Sequence, residues 1–163
     1  MKKTIKKKFN ILINTEQSDY RDISESRFPL ADTEEDEREN VEFYTEGELV
    51  ISADGSFSLS YDESELTGMT GAVTSVNFNL SERGLVTLMR TGAYRMAMVF
   101  EQGKRHICTY QTPYMPIEMS VLAKKLENTL TEDGGELRVE YSIDANGMRC
   151  EYAKMILEAR ECK

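Results

Sequence analysis

Between residues 41 and 157 apolar and polar residues alternate at period two, and glycine-containing turns interrupt the alternation at short intervals. The pattern predicts strand after strand. An earlier strand is expected over 4–14, with Phe9, Ile11 and Ile13 on one face. Strand character resumes at Val41 and runs to about Ser52, with Gly47 expected at a bulge or bend. Asp54-Gly55 is a two-residue hairpin signal, and Phe57, Leu59 and Tyr61 share one face of the strand after it. Further strands are expected over 72–80, 85–90, 94–102 and 104–112, separated by Ser81-Glu82-Arg83-Gly84, Thr91-Gly92 and Gly103. The last hairpin, 137–143 with 148–160, turns at Asn146-Gly147, a type I′ signal.

Two stretches depart from this rhythm. Residues 117–130 carry both periods: Met119, Leu122, Ala123 and Leu126 are spaced as on a helix, whereas Ile117, Met119, Val121 and Ala123 alternate as on a strand. The reading adopted is a strand to about Ala123, then a loop or one helical turn. Residues 18–40 are expected to form a long acidic loop, because 32–40 is nearly all charge and buries too little apolar surface to offset ordering entropy. About ten β segments joined by tight turns make an antiparallel meander, and closing it removes its two edges. The inward face should include Tyr94, Met96, Met98 and Phe100 on one strand and Leu137, Val139, Tyr141 and Ile143 on another. Near Tyr152-Ala153 the apolar phase switches, as a bulge would make it do.

Composition narrows the setting. The 163 residues suit one domain spanning 1–163. No apolar stretch approaches the ~20 residues of a transmembrane helix, and the lysine-rich start lacks the apolar core of a signal peptide, so a cytoplasmic protein is expected. The three cysteines, Cys108, Cys150 and Cys162, form no CxxC pair and suggest neither a disulfide framework nor a zinc site. A net charge of −9 argues against a nucleic-acid partner. The N-terminal lysines read as the wet face of a first strand.

Several segments, in order and spacing, resemble a known family. They are Tyr61-Asp62-Glu63-Ser64 with Thr67-Gly68, Val86-Thr87-Leu88-Met89-Arg90-Thr91-Gly92, Phe100-Glu101-Gln102-Gly103-Lys104 and Tyr110-Gln111-Thr112-Pro113-Tyr114. Together, across about 41–157, they are similar to the YwiB-like family of bacterial proteins. That resemblance implies an all-β fold, an antiparallel meander closed into a calycin-like or lipocalin-like barrel of about 8–10 strands, with no established activity. The Gly-x-Trp signature of lipocalins is absent, since the chain has no Trp.

Candidate chemistry is sparse. His106 is the single histidine, and no phosphate loop, nucleophile elbow or zinc-protease motif occurs, so no metal, cofactor or catalytic residue is assigned. Tyr61, Glu63, Arg90, Arg95 and Tyr110 sit at strand ends or turns. A guanidinium at a barrel mouth clamps a carboxylate or phosphate, and tyrosine hydroxyls orient it. Alternatively, Arg90 or Arg95 pairs with Glu63 or Glu101 and fastens the barrel end. Tyr94, Met96, Met98 and Phe100 would line the apolar wall, or simply fill the core. The first reading is therefore a non-enzymatic barrel binding a small acidic or amphipathic ligand at its mouth. The second is a solidly packed protein-interaction module, with a protein partner or a homo-oligomer left open. The third is a hydrolase or isomerase using Glu63 and His106.

Overall fold

Ten strands, and no helix, make up the residues that the computed structural model describes, namely 4–19, 39–62, 71–145 and 148–162. The strands are β1 (Ile5–Asp19), β2 (Glu39–Ile51), β3 (Ser56–Asp62), β4 (Val73–Asn79), β5 (Glu82–Thr91), β6 (Met96–Glu101), β7 (Arg105–Gln111), β8 (Pro116–Asn128), β9 (Gly134–Ala145) and β10 (Met148–Glu161). They form one antiparallel sheet in the order β6-β5-β4-β3-β2-β1-β10-β9-β8-β7. The first and last strands of the chain pair in the middle of that order. The sheet curls into a nearly closed barrel, as the alternation implied.

Inward residues come from nearly every strand: Phe9, Ile11 and Ile13 of β1, Leu59 of β3, Val76 of β4, Val86 of β5, Val139 of β9 and Leu157 of β10. They form one continuous apolar core. Burying this surface at about 25 cal/mol per Å² is the main drive for folding. Apolar side chains point in and polar ones out, the reverse of the polarity that a membrane-spanning β-barrel needs. Among the described residues no helix is long and apolar enough to cross a membrane.

Local differences from the sequence expectation have local causes. β1 runs five residues further than expected, to Asp19, and β2 begins at Glu39, so the expected 18–40 loop is shortened at both ends. Its part at 20–38 lies outside the described residues, as does the turn at Asn146-Gly147. Asp54-Gly55 belongs to a four-residue connection, 52–55, in which Ser52 N–H donates to Ser56 O and Gly55 N–H to Ser52 O, with Gly55 at φ 89°. β8 continues to Asn128 instead of ending near Ala123. Its register shifts between Ala123 and Lys125, so Lys124 is an extra, bulged residue. The second expected bulge falls between Arg149 and Glu151, just before the phase switch. Gly47 is not a bulge. It stands between Phe9 and Tyr61 in an unbroken register.

The two outermost strands, β6 and β7, are consecutive in the chain, yet no ladder joins them. They are pinned only at the ends. At one end Arg95 N–H donates to Gln111 O and Gln111 N–H to Arg95 O, both at 2.8 Å. At the other, β6 reaches past β7 to β8: Gly103 N–H donates to Ala123 O at 2.8 Å, and Leu126 N–H to Gln102 Oε1 at 3.0 Å. Arg83 Nη1 donates to Leu130 O at 2.6 Å and Asn128 Nδ2 to Arg83 O at 3.3 Å, tying β5 to the end of β8. Between the pins runs a seam. The inward residues of β7, His106, Cys108 and Tyr110, are accordingly only half-buried.

A Cβ on Gly47 would meet the Ile11 side chain and the Ser60 carbonyl. Gly47→Ala should therefore cost about 1–3 kcal/mol, as overpacking does, and lower the melting temperature by several degrees in far-UV circular dichroism. Gly84, also in a strand, has open space around its Cβ position, and Gly84→Ala should leave the melting temperature unchanged or slightly raised.

Candidate functional site

Strand register assembles a row of side chains across one end of the barrel. Tyr61 of β3 stands opposite Thr74 of β4, Thr74 opposite Arg90 of β5, and Arg90 opposite Met96 of β6. Arg90 shares its phase with Val86 and Leu88, both buried, so its guanidinium is turned to the inside. Its Nε lies 3.4 Å from the Thr74 hydroxyl and its Nη1 3.4 Å from the Tyr110 hydroxyl. Thr74 is fully buried at 0 % exposure, a polar residue on the apolar face of β4 beside Val76 and Phe78. Two aromatic contacts border the row. Phe43 lies 6.2 Å from Tyr61, and Tyr94 meets the Tyr110 ring edge-on at 6.3 Å.

Of the residues singled out from the sequence, Tyr61, Arg90 and Tyr110 thus come together. Arg95 does not join them. It is one residue out of phase with Met96, so its side chain is on the exposed face while its backbone pins the seam. Glu63 lies outside the described residues. Met96, Met98 and Phe100 are buried in the core. Tyr94 is not on the strand with them, because Gly92 at φ 108° turns the chain and leaves Tyr94 half-buried in the bend. Thr74 was not foreseen, although a hydroxyl on the inward phase of a strand was a readable signal.

The far end of β6 carries a second cluster. His106 Nε2 is 3.2 Å from Glu101 Oε1, and Lys104 Nζ is 3.2 Å from Glu101 Oε2. The Lys104 ammonium first, and His106 second, hold the Glu101 carboxyl below the usual glutamate range. This cluster lies roughly 15 Å along the strand from the Arg90 row, so the two do not act on one small molecule at close range. Burial pushes the Cys108 thiol above its ordinary value, which disfavours a thiolate nucleophile. A depression of about 340 Å³ on the outer face of β7–β9 is lined by Arg105, Ile107, Glu118, Met119, Ser120 and Asp144. Its cation is engaged, with Arg105 Nη1 2.9 Å from Asp144 Oδ2. Chemically, the Arg90 row offers charge-assisted donors and neutral hydroxyls facing an apolar interior.

The charged form of Glu101 is favoured by the fold. Its contribution to stability is in place above the ordinary glutamate range and is lost as pH falls through the lowered native value. In carbon-detected NMR titrations, Lys104→Gln should move the Glu101 midpoint up toward the ordinary range, and His106→Gln should move it up by less.

The fold has a counterpart among solved structures. The chain is 26% identical over 106 residues to the uncharacterized β-barrel protein YwiB of Bacillus subtilis (strain 168), covering 65% of this chain and 70% of that protein. The crystal structure of the ywiB protein from Bacillus subtilis superposes with a TM-score of 0.75 at 20% identity, covering 97% of this chain and 94% of the other. At that identity the likeness speaks for the fold. A family model described as a domain of unknown function, DUF1934, matches residues 30–157, most of the barrel. The chain belongs to the DUF1934 family.

Proposed function

We propose that this barrel is a non-enzymatic, cytoplasmic binding protein for a small anionic molecule with an apolar portion, held at the end where Arg90 faces inward. The observation that carries the reading is the position of that guanidinium. It occupies the inward phase of β5 beside fully buried Thr74, with the Tyr110 hydroxyl within 3.4 Å. A planar cation with five N–H donors binds a carboxylate or phosphate bidentately, and its reach grows as water is excluded around it. Tyr61 and Tyr110 would orient the anion, and Met96 with Tyr94 would meet the apolar portion. The continuous core below the row favours a ligand at the barrel end over one along its axis. Free Cys108 and Cys162 suit a reducing compartment.

A protein-interaction role is the second reading. It is favoured by the unzipped β6–β7 edge and by exposed apolar residues beside it: Ile107 is 73 % exposed and Tyr114, in the β7–β8 turn, 88 %.

Isothermal titration with decanoate and decyl phosphate separates these. Binding of either probe, weakened at least tenfold (about 1.4 kcal/mol) by Arg90→Gln and unchanged by Arg95→Gln, is the expected result. No binding of either probe, or equal affinity in wild type and Arg90→Gln, would contradict the ligand reading.

A further inference from the structure

Charge is distributed unevenly over the exterior, and the uneven part is one continuous wall. Outward rows on the β10–β1–β2 side are rich in charge: Lys8 stands opposite Glu48, and Asn10 lies between Glu46 and Arg160. Across β9 and β10, Lys154 stands opposite Glu140 and Ile156 opposite Arg138. The outward face of β3–β6 is different. One row across it reads Ser60, Ser75, Met89 and Ala97. The next reads Ser58, Asn77, Thr87 and Val99. Neither row contains a charged residue, in a chain in which 30% of residues are charged. Among the described residues charge returns at the margins, at Asp62, Glu82, Arg95 and Glu101.

We propose that this wall is a self-association surface, through which two copies of the chain pack face to face across a two-fold axis. The absence of charge on these rows selects the occupant. At −9 two copies repel, and bringing charged walls together would bury like charges or unpaired ones. The β3–β6 wall is the surface where identical faces meet with no charge to desolvate. A two-fold interface requires that self-complementarity, since the same patch is used twice. The side chains are short, apart from Met89, and facing sheets stack about 10 Å apart. Met89, 39 % exposed at the centre of its row, supplies an adaptable apolar contact. A strongly basic partner would instead be drawn to the acidic parts of the exterior, away from this wall. This wall is made of outward residues only, separate from the inward-facing Arg90 row.

Sedimentation velocity from about 1 to 100 µM tests it on the full chain. Wild type should sediment as a dimer at the upper concentrations. Met89→Glu/Ala97→Glu should raise the dissociation constant at least tenfold. Lys154→Glu, which makes the same change in net charge on the opposite wall, should raise it far less. Thr87→Lys makes the net charge less negative yet should also dissociate the dimer, because it places a cation in the neutral rows. Each variant is checked for a wild-type melting temperature, and Thr87→Lys carries the test if the double variant does not fold. A wild-type monomer throughout the range overturns the proposal. So does a dimer that Met89→Glu/Ala97→Glu and Thr87→Lys leave intact, or one that Lys154→Glu weakens as much as the double variant does.

Discussion

A ten-stranded meander buries its inward face only if its two outermost strands meet, and here they are β6 and β7. That closure is the constraint on which the rest of the molecule depends. Every other neighbouring pair is zipped by a backbone ladder. This one relies on the reciprocal Arg95–Gln111 pair at one end and on the reach of Gln102 and Gly103 to β8 at the other. The hairpin that links β6 to β7 is too short to let them drift apart, yet its strands do not pair. The bulge at Lys124 lies where β8 accepts the end of β6. Bulges bend and twist a strand, and that bend suits a position where the barrel must turn to meet itself.

The two ends of the seam differ in chemistry as well as in geometry. The Arg95–Gln111 end lies beside Arg90, Tyr110 and Tyr94, where a cation and hydroxyls face inward. The hairpin end is held by Glu101, Lys104 and His106, a surface cluster whose charges largely satisfy one another. The incomplete ladder also explains why β7 contributes no fully buried residue, while every other strand does.

Most of this architecture was legible in the chain. Alternation at Met96, Met98 and Phe100 and at Leu137, Val139 and Tyr141 named inward residues directly, because the side-chain period of a strand is two. The same parity was sufficient to place Arg95 outside and Arg90 inside, and to mark Thr74 as a polar residue on an apolar face. β8 was harder. A bulge inserts one residue, so the inward positions step from Ala123 to Leu126, and that interval of three mimics a helix. Pairing across the seam was not legible at all. Period two says which face a side chain takes, and nothing about which backbone edge its strand finds.

Amide hydrogen exchange resolved by NMR tests the closure most directly. Counting by twos from the Arg95–Gln111 pair, the N–H groups of Ala97 and Val99 on β6 and of Ile107 and Thr109 on β7 point into the seam. Fast exchange is expected at these four positions, with slow exchange at their neighbours Met98 and Phe100 and at Arg95 and Gln111. Uniform protection along β6 and β7 would mean that the two strands are fully zipped, and would contradict it.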